Sequence, residues 1–198
     1  MRTRRKNKRS RNKTKKTYRK KDYQSGEGML TSVWGPSLWH TLHTISFNYP
    51  VKPTKDQKTY HKNLILNLRH VMPCKYCRIN LKKNLKAHPL RACDLKNRDK
   101  FSRWVYGLHE HVNKMLGKKS GLTFCEVRDR YENFRSRCTK TEIKKKIITI
   151  KTKKKTRKKE KGCTEPFYGQ KAKLCLKIVP QKNRMKTFHI DKTVIKKR

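Results

Sequence analysis

The apolar positions of this chain follow a helical rhythm through its central half and lose it at both ends. In WGPSLWHTLHTISFNYP, Trp39, Leu42, His43 and Phe47 recur every three or four residues, one face of a helix. Pro36 suits a first helical turn, and Pro50 with Pro53 ends the element. Thr54 and Gln57 form a capping-box pattern that opens a second helix, with an apolar stripe of Tyr60, Leu64, Leu68 and Val71. Met72-Pro73 stops it and delivers the chain to Cys74-Lys75-Tyr76-Cys77. A third helix is predicted through Ile79, Leu81 and Leu85. Pro89 and Asn97-Arg98-Asp99 bracket a loop containing Cys93. A fourth helix runs through Phe101, Trp104, Val105, Leu108, Val112 and Leu116, closed by Gly117, and a shorter fifth spans about Cys125 to Arg137. No alternating strand pattern interrupts the run. The pattern predicts an all-α fold, a four-helix bundle with a short fifth helix.

Outside that run the character changes. Residues 143–161 alternate Lys, Thr and Ile, which suits either disorder or a weak strand. Residues 162–198 regain Phe167, Tyr168, Leu174, Leu176, Ile178 and Val179, with Cys163 and Cys175 flanking a Pro/Gly stretch. A small β element held by a Cys163–Cys175 bridge is compatible with that composition.

Charge sharpens the division. The 198 residues carry 57 Lys+Arg against 13 Asp+Glu, a formal net charge of +44, and only 33% are hydrophobic. Self-repulsion on this scale opposes collapse of the whole chain into one body. Residues 1–22 are net +12, residues 139–198 net +18, and the middle segment of about 115 residues net +14. That segment, which holds Trp34, Trp39 and Trp104, is long enough for one core. The expected organisation is a basic arm (1–28), a helical domain (29–138), a Lys-rich linker (139–161) and a small basic C-terminal extension (162–198).

No stretch approaches the roughly 20 apolar residues of a membrane helix. The basic N-terminus has no apolar segment behind it, so no secretory signal is expected. A cytosolic or nuclear setting follows, in which seven cysteines suit metal binding or redox work better than a passive disulfide framework.

The chemistry centres on Cys74 and Cys77. Two cysteines in the first turn of a helix can form a tight disulfide, and the helix N-terminus with Lys75 and Arg78 favours a thiolate. The same spacing also serves half of a zinc site. No second CxxC exists, and Cys93, His88, Cys125 or other histidines would have to complete such a site. A dithiol that passes electrons beyond other thiols needs a cofactor, typically a flavin. Trp39 with His43, and His109 with Asn113, lie at i and i+4 on two helices, where flat rings can sandwich an adenine while Lys or Arg meets a pyrophosphate. Each pair alone is equally at home in an ordinary core.

Taken together, the ordered blocks W-G-P-S-L-W-H-T-L-H, N-Y-P, P-C-K-Y-C, the fourth-helix run with Trp104, His109, Val112, Asn113 and Leu116, and then Val127, Arg130 and Tyr131 resemble the ERV/ALR family of FAD-dependent sulfhydryl oxidases. The first block looks most like the members encoded by large nucleocytoplasmic DNA viruses. The resemblance covers about residues 33–135. It implies a helical bundle holding FAD at its mouth, usually as a homodimer. It implies that Cys77 lies against the flavin and that Cys74 is the outer thiol exchanging with protein thiol substrates. The implied reaction joins two thiols and reduces molecular oxygen to hydrogen peroxide. Trp39, His43, His109, Asn113, Arg130 and Tyr131 fall at the family's FAD-contact positions, with Lys118 or Lys119 near the phosphates. Gly35, Pro36, Tyr49, Trp104, Val112 and Leu116 complete the implied cofactor set, and no metal site is implied. A host-cytoplasmic or virion location follows from the viral likeness, with the nucleus as a further setting.

Three departures stand out. Pro36 replaces a frequent arginine. Tyr106 replaces the cysteine that usually pairs with the position of Cys125, which leaves Cys125 to pair with Cys93 or Cys138 or to stay free. The arms lack a CxxC or CxC shuttle pair, since Cys163 and Cys175 lie too far apart. The arms themselves suit non-specific binding to nucleic acid, or docking on an acidic partner, without any base-reading motif. The alternative reading of the whole chain is a non-enzymatic basic nucleic-acid-binding protein with a cysteine-based zinc site.

Overall fold

A computed structural model of the chain describes residues 28–139, 162–167 and 170–194. The arm before Gly28 and the Lys/Thr/Ile alternation lie outside the described residues, as do expectations resting on them. Five helices form in order: α1 (Thr31–Asn48), α2 (Lys55–Val71), α3 (Lys75–Ala87), α4 (Arg98–Met115) and α5 (Phe124–Glu132). A 3-10 turn, Ala92–Leu95, occupies the loop expected around Cys93 and buries Leu95. The fold is all-α in its body, a four-helix bundle with a short fifth helix.

Local chemistry sets the helix boundaries. The Thr54 capping box forms as predicted, with Thr54 Oγ1 accepting from Gln57 N–H and the Gln57 side chain accepting in return. A second capping box, Thr123 with Glu126, starts α5. Asn97 caps α4 by accepting from Lys100 N–H at 2.9 Å. α4 ends in a Schellman arrangement: Lys118 N–H donates to Asn113 O at 2.8 Å and Gly117 N–H to Lys114 O at 3.1 Å. Gly117 takes φ +65, a left-handed conformation that side-chain-bearing residues resist.

α1 departs from expectation at its start. It begins at Thr31, so Pro36 lies inside the helix rather than in its first turn. Trp34 Nε1 donates to Met29 O at 3.0 Å and fixes the extra turn, while the proline forfeits one ladder bond near the helix start. At the other end, cations from elsewhere cover the last carbonyls. Arg98 Nε donates to Tyr49 O at 2.6 Å and Arg135 Nη2 to Phe47 O at 2.8 Å.

The core gathers Leu42, Tyr49, Ile65, Leu81, Leu95, Phe101, Trp104, Val105 and Leu108. α1 packs on α4 and on α5, and α3 packs on α2 and α4. The stripe expected on α2 is used only in part. Tyr60 is 67% and Val71 69% exposed, whereas Ile65 is 2% exposed and Leu68 packs against the core. Adjacent Leu64 and Ile65 made two faces equally apolar in sequence, and packing chose the second.

The C-terminal end carries two further corrections. α5 stops at Glu132 rather than Arg137, because the chain turns into a strand, β1 (Ser136–Thr139). β1 pairs antiparallel with β2 (Gly162–Pro166), Ser136 facing Pro166. The extension thus supplies one strand of its β element and the end of the helical segment supplies the other. Cys163 is disulfide-bonded and Cys175 is free, so the expected Cys163–Cys175 bridge does not form. β-pairing holds Cys163 in the ribbon, while Cys175 lies exposed in irregular chain. Cys93 and Cys125 are free and exposed, which settles Cys125 as unpaired.

Replacing Gly117 with Ala should lower stability by about 1 kcal/mol, since its conformation and not its packing excludes a Cβ. A denaturant midpoint unchanged from the parent would contradict that origin.

Candidate functional site

Cys74 is the N-cap of α3, with extended φ −159 and ψ 119. Its Sγ accepts from Cys77 N–H at 3.2 Å, so sulfur does here what Ser or Asp does at other helix starts. Pro73 and a short strap place it. Gly28 forms an antiparallel bridge with Cys74, and Met29 N–H donates to Pro73 O at 2.7 Å. Gly28 sits at φ +150, and a Cβ there would meet Pro73 O at 2.6 Å, so only glycine fits so close. Cys77 follows in the first turn, partly buried and packed against the core, with Thr31 Oγ1 at 3.7 Å from its Sγ.

The two thiols are free and unequal. The Cys77 thiol and backbone N–H groups hydrogen-bond to Cys74 and lower its pKa. Burial, and then the neighbouring Cys74, raise that of Cys77. The arrangement therefore favours negative charge on the outer sulfur and a neutral thiol on the inner one.

A second cluster lies between α1, α4 and α5. Trp39 and His109 stack with ring centroids 4.0 Å apart and 7° between planes. His43 Nε2 and His109 Nδ1 are 3.0 Å apart. Tyr131 lies 5.3 Å from the His43 ring and 5.2 Å from Phe47. Burial, followed by His109 and His40, pulls the His43 imidazole down to about 3. Burial pulls His109 down to about 4, with Glu110 opposing and Lys118 assisting. Burial also raises the Tyr131 hydroxyl, against the pull of Arg130. Both imidazoles are thus neutral near pH 7, and each brings one N–H to the pair.

His43 Nδ1 is buried and has no hydrogen-bond partner. Whichever ring donates across the pair, this atom remains a lone acceptor or donor, and leaving it so costs about 1–3 kcal/mol. A flat heteroaromatic ligand with polar ring atoms meets both features, the ring cage and the orphaned nitrogen. Cations stand close: Lys118 acts electrostatically on His109, and Arg130 on Tyr131.

The structure therefore brings Trp39, His43, His109 and Tyr131 into one cage, with Arg130 and Lys118 beside it. Gly35 and Pro36 lie on α1 one turn before Trp39, and Val112 and Asn113 one turn after His109 on α4. Leu116 and Lys119 are exposed just past the end of α4. Tyr49 and Trp104 are not in the cage. Tyr49 is 0% exposed, its hydroxyl donating to Leu95 O at 3.0 Å, and Trp104 Nε1 donates to Pro89 O from between His88 and Phe101. His40 was not singled out from the sequence. Its Nδ1 lies 3.2 Å from Tyr131 Oη, and its ring lies 5.0 Å from that of Phe188 in the C-terminal extension. The helical offset of Trp39 and His43 leaves His40 on another side of the turn, where its partners come from α5 and the C-terminal extension. Among the described residues, no three His, Cys, Asp or Glu side chains come together to hold a metal ion. No helix among them is long and apolar enough to cross a membrane.

Comparison with known proteins follows the same geometry. Residues 36–144 match the Erv1 / Alr family. The chain is 33% identical over 99 residues to a probable FAD-linked sulfhydryl oxidase of Acanthamoeba polyphaga mimivirus, covering 50% of this chain and 68% of that one. It is 33% identical over 99 residues to an FAD-linked sulfhydryl oxidase of African swine fever virus, covering 50% and 80%. Against the Arabidopsis thaliana FAD-linked sulfhydryl oxidase it is 37% identical over 84 residues, but spans only 42% of that protein. Among solved structures, the yeast Erv1 core aligns with a TM-score of 0.47 and 27% identity, covering 62% of this chain and 96% of that one.

The buried imidazoles give the fold a pH signature. Unfolded, His109 takes a proton near its ordinary value of 6.5; folded, it stays neutral down to about 4. The unfolded state therefore binds more protons in that window. Its stabilising contribution is complete above 6.5 and is lost as pH falls toward 4, by up to about 1.4 kcal/mol per pH unit. Denaturation of the cofactor-free chain at pH 7 and pH 4.5 should show a smaller acid loss for His109→Gln than for the parent. Parallel losses would remove His109 as the cause.

Proposed function

The chain belongs to the Erv1 / Alr family of FAD-linked sulfhydryl oxidases, and from that premise we propose that Cys74 and Cys77 are its redox dithiol. The family supplies the activity class, a thiol oxidase linked to FAD. The observation that carries the assignment to these two residues is the helix-capping geometry, in which the capping sulfur is the lower-pKa one.

In the oxidised state a substrate thiolate attacks Cys74 Sγ, the Cys74–Cys77 bond breaks, and Cys77 leaves as a thiolate that takes a proton from solvent. A second substrate thiolate attacks the substrate sulfur of the mixed disulfide, forming the product disulfide and releasing Cys74. The departing sulfur is the one stabilised by the Cys77 hydrogen bond and the helix N-terminus, and a low-pKa thiol leaves faster. Cys77, packed against the core, is the sulfur that hands on the electrons. FAD, when bound, would supply a two-electron acceptor able to reduce molecular oxygen to hydrogen peroxide.

The chain's own residues hold that cofactor in this reading. Trp39, His43, His109 and Tyr131 take a flat ring, and His43 Nδ1 gains the partner it lacks. Arg130, Lys118 and Lys119 meet phosphates, with Gly35, Pro36, Val112, Asn113 and Leu116 lining the approach. Tyr49 and Trp104 act from the core, fixing the end of α1 and the middle of α4. Thiol-bearing proteins of a virus-infected cytoplasm or virion are the fitting substrates, given the viral relatives.

Purified protein should be yellow and take up oxygen only with a dithiol present. Cys77→Ala should keep the flavin and lower that uptake at least about a hundredfold, and Cys74→Ser should do likewise with dithiol substrates. Undiminished turnover in Cys74→Ser would refute the outer-thiol role. A colourless protein with stoichiometric zinc would refute the whole reading. Separately, His43→Leu should reduce bound flavin, read as visible absorbance per chain. It restores a packed apolar site without the orphaned nitrogen, so unchanged flavin content would detach His43 from the cofactor.

A further inference from the structure

The basicity of the helical body is concentrated on the two helices that the dithiol joins. Residues 57–93, most of α2 and all of α3, contain nine Lys or Arg and no Asp or Glu. The ion pairs among the described residues lie elsewhere: Asp99–Arg103, Arg128–Asp129, Glu132–Arg135 and Glu165–Lys171. None of the nine cations is compensated in this way. A groove of about 340 Å³ at α2 and α3 is lined by apolar Leu66, Leu85, Pro89 and Leu90 together with Arg69, Lys82 and Lys86. The groove lies along the helix that Cys74 caps. The strap from Gly28 brings the root of the basic arm to Cys74 as well, and the first 22 residues of that arm are net +12.

We propose that this α2–α3 face is a docking surface for an acidic, amphipathic segment of the protein thiol substrate. The inference rests on the thiol-oxidase reading and adds the substrate class. Apolar side chains of the segment meet the apolar lining of the groove, its carboxylates meet Arg69, Lys82 and Lys86, and its thiols are held near Cys74. Charge complementarity selects this occupant. A second copy of the chain presents the same positive face and is repelled. A nucleic-acid backbone satisfies the cations but leaves the apolar lining uncovered.

The test uses the full-length flavin-loaded protein and two probes. The first is a fluorescent, cysteine-free amphipathic peptide rich in Glu and Leu, with a Lys-for-Glu counterpart. The second is a matched pair of dithiol peptides carrying the same flanks, with dithiothreitol as the uncharged reference. The acidic peptide should bind at least about tenfold tighter than the basic one, and its advantage should shrink as salt screens the charges. The acidic dithiol peptide should show a kcat/KM advantage of similar size. Lys82→Glu with Lys86→Glu, both exposed, should abolish both advantages while leaving dithiothreitol oxidation within about twofold. Equal binding of the two peptides, or an acidic preference unmoved by the double substitution, overturns the proposal. So does a double substitution that removes only binding to a duplex oligonucleotide, which assigns the face to nucleic acid. Loss of dithiothreitol oxidation in the parent strikes the thiol-oxidase reading instead, and the cysteine-free peptide still decides the docking.

Discussion

Much of the site hangs on one hydrogen bond, from the Cys77 backbone N–H to Cys74 Sγ at 3.2 Å. It makes a cysteine the cap of α3, and so ties the position of the outer sulfur to the start of a helix. The free N–H groups of a helix start need partners, and here the sulfur supplies one. Pro73 ends the preceding segment, and the Gly28–Met29 strap closes over it, so the cap is braced on both sides. The inequality of the two thiols follows from this placement. The capping sulfur receives hydrogen bonds and shows the lower pKa, and the sulfur one turn inside meets the core and shows the higher.

The second cluster obeys an opposite constraint. There the bundle buries two imidazoles that would prefer a proton in water, and leaves one nitrogen without a partner. Such an arrangement is costly for an empty core and sensible for a binding site. Neighbouring Tyr49 makes the contrast plain. It is just as buried, yet its hydroxyl reaches Leu95 O and its ring fills space between His61 and Phe101. One polar aromatic is satisfied by the fold, whereas the other keeps a ring nitrogen without a partner.

The helices were legible because their signals are local. Thr54-x-x-Gln57, the α4 stripe and Gly117 each act within one or two turns, and each appears where the pattern put it. The failures are non-local. The α1 start depends on Trp34 reaching Met29, and the choice of Ile65 over Leu64 depends on what faces α2. β1 depends on a strand more than twenty residues downstream. His40 carries no periodic signal and becomes part of the site only through Tyr131 on another helix. The Thr123–Glu126 cap of α5, by contrast, is a local signal and starts the helix at Phe124, one residue before the expected Cys125.

Net charge looks at first like a property of the arms, since residues 1–22 and 139–198 hold most of the +44. The body's share is not spread over its surface, however. Every acid in the described helical body lies on α4, α5 or the 3-10 turn, save Asp56 in the first turn of α2. There Asp56 meets the positive end of the helix dipole and is locally matched. The remaining length of α2 and all of α3 therefore face solvent with cations alone. Stability does not call for this, since like charges on packed helices repel. A surface that keeps such repulsion next to a thiolate-forming helix cap gains two things from it: a potential that favours the anionic sulfur, and attraction for whatever negative chain approaches it.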